Sequence, residues 1–285
     1  MSTIKKGIDV SEHQGIVDWG KVSTDFVILR AGYGREINQK DKQFDTNYKG
    51  CKDHSIPCGA YWYSYALTVE DAIKEAKTCL EVIKGKTFEY PIYFDVEESS
   101  QFNLGRERVS AIIKAFLEYV ESAGYWVGLY MSQHYLENYV TEDIRKRFAV
   151  WVAQYNTSCT YSGQYGIWQY GIAGNVKYDT ANVKSVKGVK GECDCDNCYI
   201  DYPSLIKNKG LNGFKKSPTP TGGSVSSAPK KDTNYNIYTV VKGDNLWNIA
   251  QKYLKNGSRY TEIKKLNGLT SDTIYPGDKL KIPKY

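Results

Sequence analysis

The sequence predicts an irregular β/α barrel of eight strands and fewer helices, an α/β fold, followed by a linker and a small βααβ unit. Three observations carry this prediction. Short apolar runs recur eight times up to about residue 208, two amphipathic helical stretches separate early runs, and from Lys215 the hydrophobic pattern gives way to Pro, Gly, Ser and Thr before resuming.

The apolar runs are "GIDVS", "FVILRAGYG", "CGAYWYSY", "YPIYFDVE", "WVGLYMS", "FAVWVAQY", "YGIWQY" and "CYIDY". Between the third and fourth lies "TVEDAIKEAKTCLEVIKG". Thr68 and Asp71 mark its N-cap, Ala72, Ile73, Ala76, Leu80 and Ile83 repeat at helical spacing, and Gly85 ends it. After the fourth, Val109, Ile112, Ile113, Phe116, Leu117 and Val120 form one stripe that Gly124 closes. The later runs are joined by stretches too irregular to read as helices, so the barrel is expected to be uneven. An open doubly wound sheet is the alternative, but no glycine-rich phosphate loop opens any helix. The stretch "KKSPTPTGGSVSSAPKKDTNYN" reads as linker, giving a first domain over 1–208, a linker over 209–236 and a second domain over 237–285.

The chain has 285 residues, and its 25 Tyr and 6 Trp suit either a sugar groove or ordinary packing. No apolar run approaches the roughly 20 residues needed to cross a bilayer, so no membrane insertion is expected. The opening "MSTIKKGIDV" has no apolar region ahead of its first charges, which predicts synthesis in a cytoplasm without a signal peptide. From Lys207 onward 15 Lys and Arg face 5 Asp and Glu, a surplus of +10, whereas the preceding 206 residues carry 23 against 27, or −4. Such a basic tail predicts docking on an anionic partner, and it lacks any RNA- or DNA-binding signature.

Barrel enzymes place their chemistry at the C-terminal ends of strands. The polar residues ending the apolar runs are Asp9 in the first, Asp95 and Glu97 in the fourth, and Asp201 in the eighth. Asp95 and Glu97 stand two apart, so both face one side of their strand. Such a pair can divide the work of glycoside hydrolysis, one carboxyl protonating the leaving oxygen while the other faces the developing oxocarbenium ion. Crowding of negative charge raises the pKa of at least one member. His13 and His54 have no role in such a mechanism.

These runs, in this order, resemble the strand signatures of family 25 glycoside hydrolases, the Chalaropsis-type lysozymes, over residues 4 to 206. The resemblance implies an irregular eight-stranded barrel and an N-acetylmuramidase. Its substrate is the β-1,4 bond from N-acetylmuramic acid to N-acetylglucosamine in peptidoglycan, cut with retention. It implies Glu97 as general acid/base and Asp95 as either nucleophile or the partner that orients the substrate's acetamido group. Asp9 and Asp201 would flank them, and Tyr61, Tyr63, Tyr130, Trp151 and Gln169 would line the groove. No cofactor is implied.

From Ile237 the chain resembles a LysM domain, which binds N-acetylglucosamine chains through the loops after its first strand and second helix. Those loops hold Gly243, Asp244, Asn245, Leu246, Asn267, Leu269 and Thr270, with Asn245 standing where the family more often has Thr. Leu246, Ile249, Ala250 and Tyr253 are expected to share the buried face of its first helix. A wall anchor tethered to a wall hydrolase raises the local substrate concentration. The combined expectation is a peptidoglycan hydrolase, in form a phage endolysin released by a holin. A bacterial autolysin of the same activity and a non-catalytic wall-binding protein are the alternatives.

The stretch "CDCDNCYIDYP" gathers three of the chain's seven cysteines within six positions. Cys193, Cys195 and Cys198 offer three thiolates with no fourth Cys or His nearby, whereas structural zinc takes four ligands, so no metal is expected. They read as a loop leading into the strand that ends at Asp201.

Overall fold

The computed structural model describes residues 4–175, 177–178, 184–216, 235–241, 243–269, 272–274 and 278–283. It forms two units, one up to residue 219 and one from residue 220 onward. Among the described residues no helix is long and apolar enough to cross a membrane.

The first unit is a closed barrel of eight strands in sequence order. They are β1 (Lys5–Val10), β2 (Phe26–Tyr33), β3 (Cys58–Tyr63), β4 (Ile92–Asp95), β5 (Val127–Ser132), β6 (Ala149–Ala153), β7 (Ile167–Ala173) and β8 (Cys193–Cys198). The first seven run parallel, and β8 closes the barrel antiparallel to both β7 and β1. The expected unevenness is real. Between strands lie α1 (Phe44–Asp53), α2 (Val69–Ile83), α3 (Ser99–Phe102), α4 (Arg106–Ser122), α5 (Gln133–Tyr139) and α6 (Glu142–Arg147), and α7 (Tyr202–Lys209) follows the barrel. The β7–β8 connection contains no described helix.

The helices α2 and α4 sit where the apolar periodicity predicts them. The Thr68 hydroxyl accepts from the Asp71 amide, a cap of about 1 kcal/mol, and Gly85 and Gly124 follow the helix ends with positive φ. Outward strand residues such as Ile8, Leu29, Phe94, Leu129 and Val152 pack with Ala76, Ile83, Ile113 and Phe116 of these helices. Phe94 stacks on Phe116 with centroids 3.8 Å apart. Helices α1, α5 and α6 escape the periodicity because they are short and bury few residues: Phe44, Asn47, Gly50 and Cys51 in α1, only Leu136 in α5 and only Ile144 in α6.

The inward faces divide into an aromatic floor and a polar mouth. Phe26, Tyr90, Tyr93 and Tyr202 fill the floor, Phe26 stacked on Tyr90 at 4.5 Å. Gly7 makes room for them, since a Cβ there would lie 2.2 Å from the Phe26 ring. Residues beyond 208 belong to this unit. The buried Asn212 side chain accepts from the Trp126 amide at 2.6 Å and donates to the Tyr90 carbonyl at 2.8 Å, so the first domain reaches past the boundary the sequence suggests.

The second unit pairs β9 (Tyr235–Thr239) antiparallel with β10 (Lys279–Pro283), with α8 (Leu246–Leu254) and α9 (Tyr260–Asn267) between them. Val240, Leu246, Ile249, Ala250, Leu254, Ile263, Leu280 and Ile282 form its core. Leu254 takes the place expected of Tyr253, which is 40% exposed, because the hydroxyl-bearing ring lies against Tyr238 and the Lys252 ammonium instead.

Candidate active site

A cavity of about 300 Å³ opens at the end of the barrel where the parallel strands have their C-termini. Asp9, Tyr61, Tyr63, Asp95, Glu97, Tyr130, Trp151 and Gln169 all line it, as the sequence reading expects. His13, Arg30, Tyr155, Ile172 and Asp194 line it too.

Strand β4 ends at Asp95, and the chain keeps its alternation for two residues more. Asp95 is 3% exposed inside the barrel, Val96 is buried among the helices, and Glu97 returns to the cavity side with its side chain open to solvent. Burial first, then the neighbouring Glu97, holds the Asp95 carboxyl well above the usual carboxylate range, with Arg30 opposing. Desolvation by the surrounding protein, then Asp194 and Glu98, pushes Glu97 up to about 7. A carboxyl at that value keeps its proton near neutrality and stays exposed enough to deliver it.

One hydrogen-bonded chain fixes the opposite wall. The Tyr130 and Tyr155 hydroxyls donate to Gln169 Oε1 at 2.8 and 3.2 Å, and Gln169 Nε2 donates to Asp9 Oδ2 at 2.8 Å. Asp9 Oδ2 accepts, so the amide turns its NH2 to the acid and its carbonyl to the two hydroxyls. Trp151 packs edge-on to Tyr130 at 4.5 Å and gives its indole N–H to Asp196 Oδ1 at 2.8 Å. Arg30 reaches in from β2, held by Asp41 at 2.7 Å, Glu12 at 2.8 Å and the His13 ring at 3.2 Å. Two of its partners are acids, so the guanidinium leaves the cavity with an excess of carboxyl groups.

The eighth strand differs from the expectation. It is the cysteine stretch itself, Cys193–Cys198, and not "CYIDY". Alternation sends Asp194 and Asp196 into the barrel beside Asp9 and sends Cys193 and Cys195 outward, while Cys198 falls among the floor aromatics. The three thiols therefore do not converge. Because β8 runs antiparallel, its C-terminus points to the floor. Asp201 lies beyond that end, exposed, as the N-cap of α7 accepting from the Ser204 amide at 3.2 Å. Asp194 occupies the cavity position expected of Asp201. The alternation in "CDCD" carried this signal, but Asn197 breaks it and the polar residues do not resemble an apolar strand.

Asp194 is half-buried, and burial followed by Glu192 pushes it up to about 6. Asp196 is fully buried. Its second oxygen has no donor among the described residues, and burial holds its carboxyl well above the usual range, with the Trp151 indole N–H opposing and Asp194 adding to the rise. Burial, then Asp194 and Asp196, raises Asp9 as well. The four acids that line the pocket thus all have their pKa values raised, by burial first and by neighbouring carboxylates second.

The family model for glycosyl hydrolases family 25 matches residues 8–178. The chain belongs to that family. The LysM model matches residues 238–283. Among solved structures, the family 25 chain resembles the modular autolysin LytC of Streptococcus pneumoniae at 31% identity and TM-score 0.60, over 70% of this chain and 48% of that one. It shares its fold with the catalytic domain of endolysin ply40 from bacteriophage P40 of Listeria monocytogenes, at 24% identity and TM-score 0.55, over 74% and 99%. Curated relatives include the N-acetylmuramoyl-L-alanine amidase sle1 of Staphylococcus epidermidis, 39% identical over 90 residues, and the autolysin of Enterococcus faecalis, 32% identical over 114. The family 25 chain covers 29% and 40% of its own length in those matches and spans 27% and 12% of the relatives.

In the LysM unit the expected polar residues support the backbone. Asp244 Oδ2 accepts from the Val241 amide at 2.8 Å and the Tyr238 hydroxyl at 2.7 Å, which holds its carboxyl below the usual range. Asn245 caps α8 through the Asn248 amide at 2.8 Å, the service a Thr there would also give. Asn267 clamps β10 by exchanging two bonds with the Lys281 backbone, at 2.7 and 2.8 Å. Leu246 is buried, Gly243 has a φ of 93°, and Leu269 packs against the core. Thr270 lies outside the described residues.

Proposed function

We propose that this chain is a peptidoglycan N-acetylmuramidase that cuts the β-1,4 bond between N-acetylmuramic acid and N-acetylglucosamine with retention, its LysM domain binding the same glycan strands. The observation that carries the reading is the Asp95–Glu97 pair at the cavity, one acid buried and one exposed with its carboxyl held near 7. Glu97 protonates the leaving oxygen and then takes a proton from the attacking water. Asp95, 3% exposed and with Oδ1 unpartnered among the described residues, orients the substrate's acetamido group for attack on its own anomeric carbon. The alternative, Asp95 as direct nucleophile, would leave a glycosyl group trapped on Asp95 by a fluorinated substrate analogue.

The test is Glu97→Gln on purified Gram-positive walls. Release of reducing ends should fall by about a thousandfold. An undiminished rate removes Glu97 from the chemistry. The new reducing ends should be N-acetylmuramic acid, and N-acetylglucosamine at that position would overturn the bond assignment.

The narrower role proposed is an endolysin freed onto the wall by a holin. Likeness to an autolysin and to a phage endolysin domain accommodates either route. Expression in a Gram-positive host should lyse cells only when a holin is co-expressed. Spontaneous appearance of the protein in intact walls would assign it to the autolysins.

A further inference from the structure

Beside the cavity, on the β2–β3 side, an aromatic shelf continues outward from residues that line it. The Tyr63 ring, in the cavity wall, lies 5.2 Å from that of Tyr65, which lies 6.2 Å edge-on from Tyr33. Tyr33 in turn carries the Arg30 guanidinium over its face at 5.7 Å, and Arg30 is again a cavity residue. The shelf therefore meets the site at both ends. Tyr65 is 47% exposed, so part of its ring is open to a ligand.

The loop that presents Tyr65 is held with more hydrogen bonds than a plain connection needs. Glu75 of α2, fully buried, accepts from the Tyr65 amide at 2.8 Å. Gln101, also buried, donates to both the Ser64 hydroxyl and the Ala66 carbonyl at 3.0 Å. The Ser64 amide donates to the backbone carbonyl of Asp95 at 2.9 Å. Tyr63 is fixed through its hydroxyl, which donates to Glu98 at 2.6 Å. Burying an acid costs stability unless hydrogen bonds offset it, and here the Tyr65 amide supplies one. What these bonds hold is the backbone that carries an exposed ring, fixed relative to the Asp95 backbone. Preorganised aromatic faces stack well on the apolar faces of pyranose rings, because no rotamer freedom is lost on binding.

The geometry points to Tyr33 and Tyr65 as a distal subsite that takes a pyranose of the glycan strand beyond the residues held in the acid cavity. This rests on the muramidase reading and deepens it. A strand seated there is registered against Asp95 and Glu97, so the shelf sets where along a strand the enzyme cuts and how strongly it prefers long strands.

The experiment uses the full chain and soluble glycan strands of defined length, prepared from walls stripped of stem peptides. Wild type and Tyr65→Ala are compared on the shortest fragment that wild type cleaves and on strands at least two disaccharides longer. The Glu75 bond is to the backbone amide and survives the substitution. Tyr65→Ala should lower the ratio of kcat/KM on long strands to that on the short fragment by about five- to tenfold. It should also redistribute the products of the long strand, as read by mass spectrometry. Tyr65→Phe, which keeps the ring, should restore both. An unchanged ratio together with an unchanged product pattern overturns the shelf, as does loss that Phe fails to restore. Wild type that cuts no strand of any length sinks the muramidase reading instead, so the two failures are distinguishable.

Discussion

Strands β4 and β8 each deliver two acids spaced by two residues, and strand direction alone gives the pairs opposite fates. In β4, parallel to its neighbours, the chain runs toward the mouth, so the second acid, Glu97, reaches solvent while the first stays buried. In β8, antiparallel, the chain runs toward the floor. The first acid, Asp194, is half-exposed and the second, Asp196, is sealed beneath it. The same spacing thus brings the second acid to solvent in one strand and seals it in the other. A carboxyl that meets water can exchange its proton during turnover, whereas one enclosed beside Trp151 and Asp9 is cut off from that exchange.

The largest effect expected from this contrast is at Asp196. If it acts as a neutral acid that donates to Asp9 and accepts from Trp151, Asp196→Leu should cost about 10- to 100-fold in kcat by freeing Asp9 to move. Asp196→Asn keeps one donor and one acceptor and should stay within about threefold of wild type. Equal damage from both substitutions would show that Asp196 works as a charge, and the contrast between the strands would fail.

A moderate effect is expected in the pH profile. Glu97 must be protonated to donate, so kcat/KM should fall as pH rises through about 7. Asp194 is the largest charged neighbour holding that value up. Asp194→Asn removes a negative charge, which lowers the Glu97 pKa and moves the alkaline limb to lower pH, by about half a unit to one unit. An alkaline limb that stays in place would place Asp194 outside the electrostatics of Glu97.

The smallest effect concerns Asp201, which the antiparallel course of β8 carries away from the mouth. Asp201→Ala should lose the α7 cap, about 1 kcal/mol in denaturant unfolding, with kcat/KM on walls retained. A hundredfold loss of activity at unchanged stability would return Asp201 to the site.

The sequence by itself determined seven of the eight strands, the two long helices and the LysM unit. Those features are written in local periodicity: apolar runs ending in acids, stripes at helical spacing, and glycines after the last turn. Asp9, Asp95 and Glu97 stood out because each ends an apolar run, whereas the resemblance to family 25 supplied Tyr61, Tyr63, Tyr130, Trp151 and Gln169, and all eight line the cavity. Tertiary structure alone decided the direction of β8. Hydrogen bonding to β7 and β1 makes a strand of "CDCDNC", whose polar residues give no apolar signal, and its antiparallel course moves the fourth acid from Asp201 to Asp194. Arg30, His13 and Tyr155 were illegible for a related reason. Their place in the cavity depends on closure of the barrel, which no local pattern encodes, and the same closure turns the cysteine stretch from an expected connecting loop into the strand that carries two of the acids.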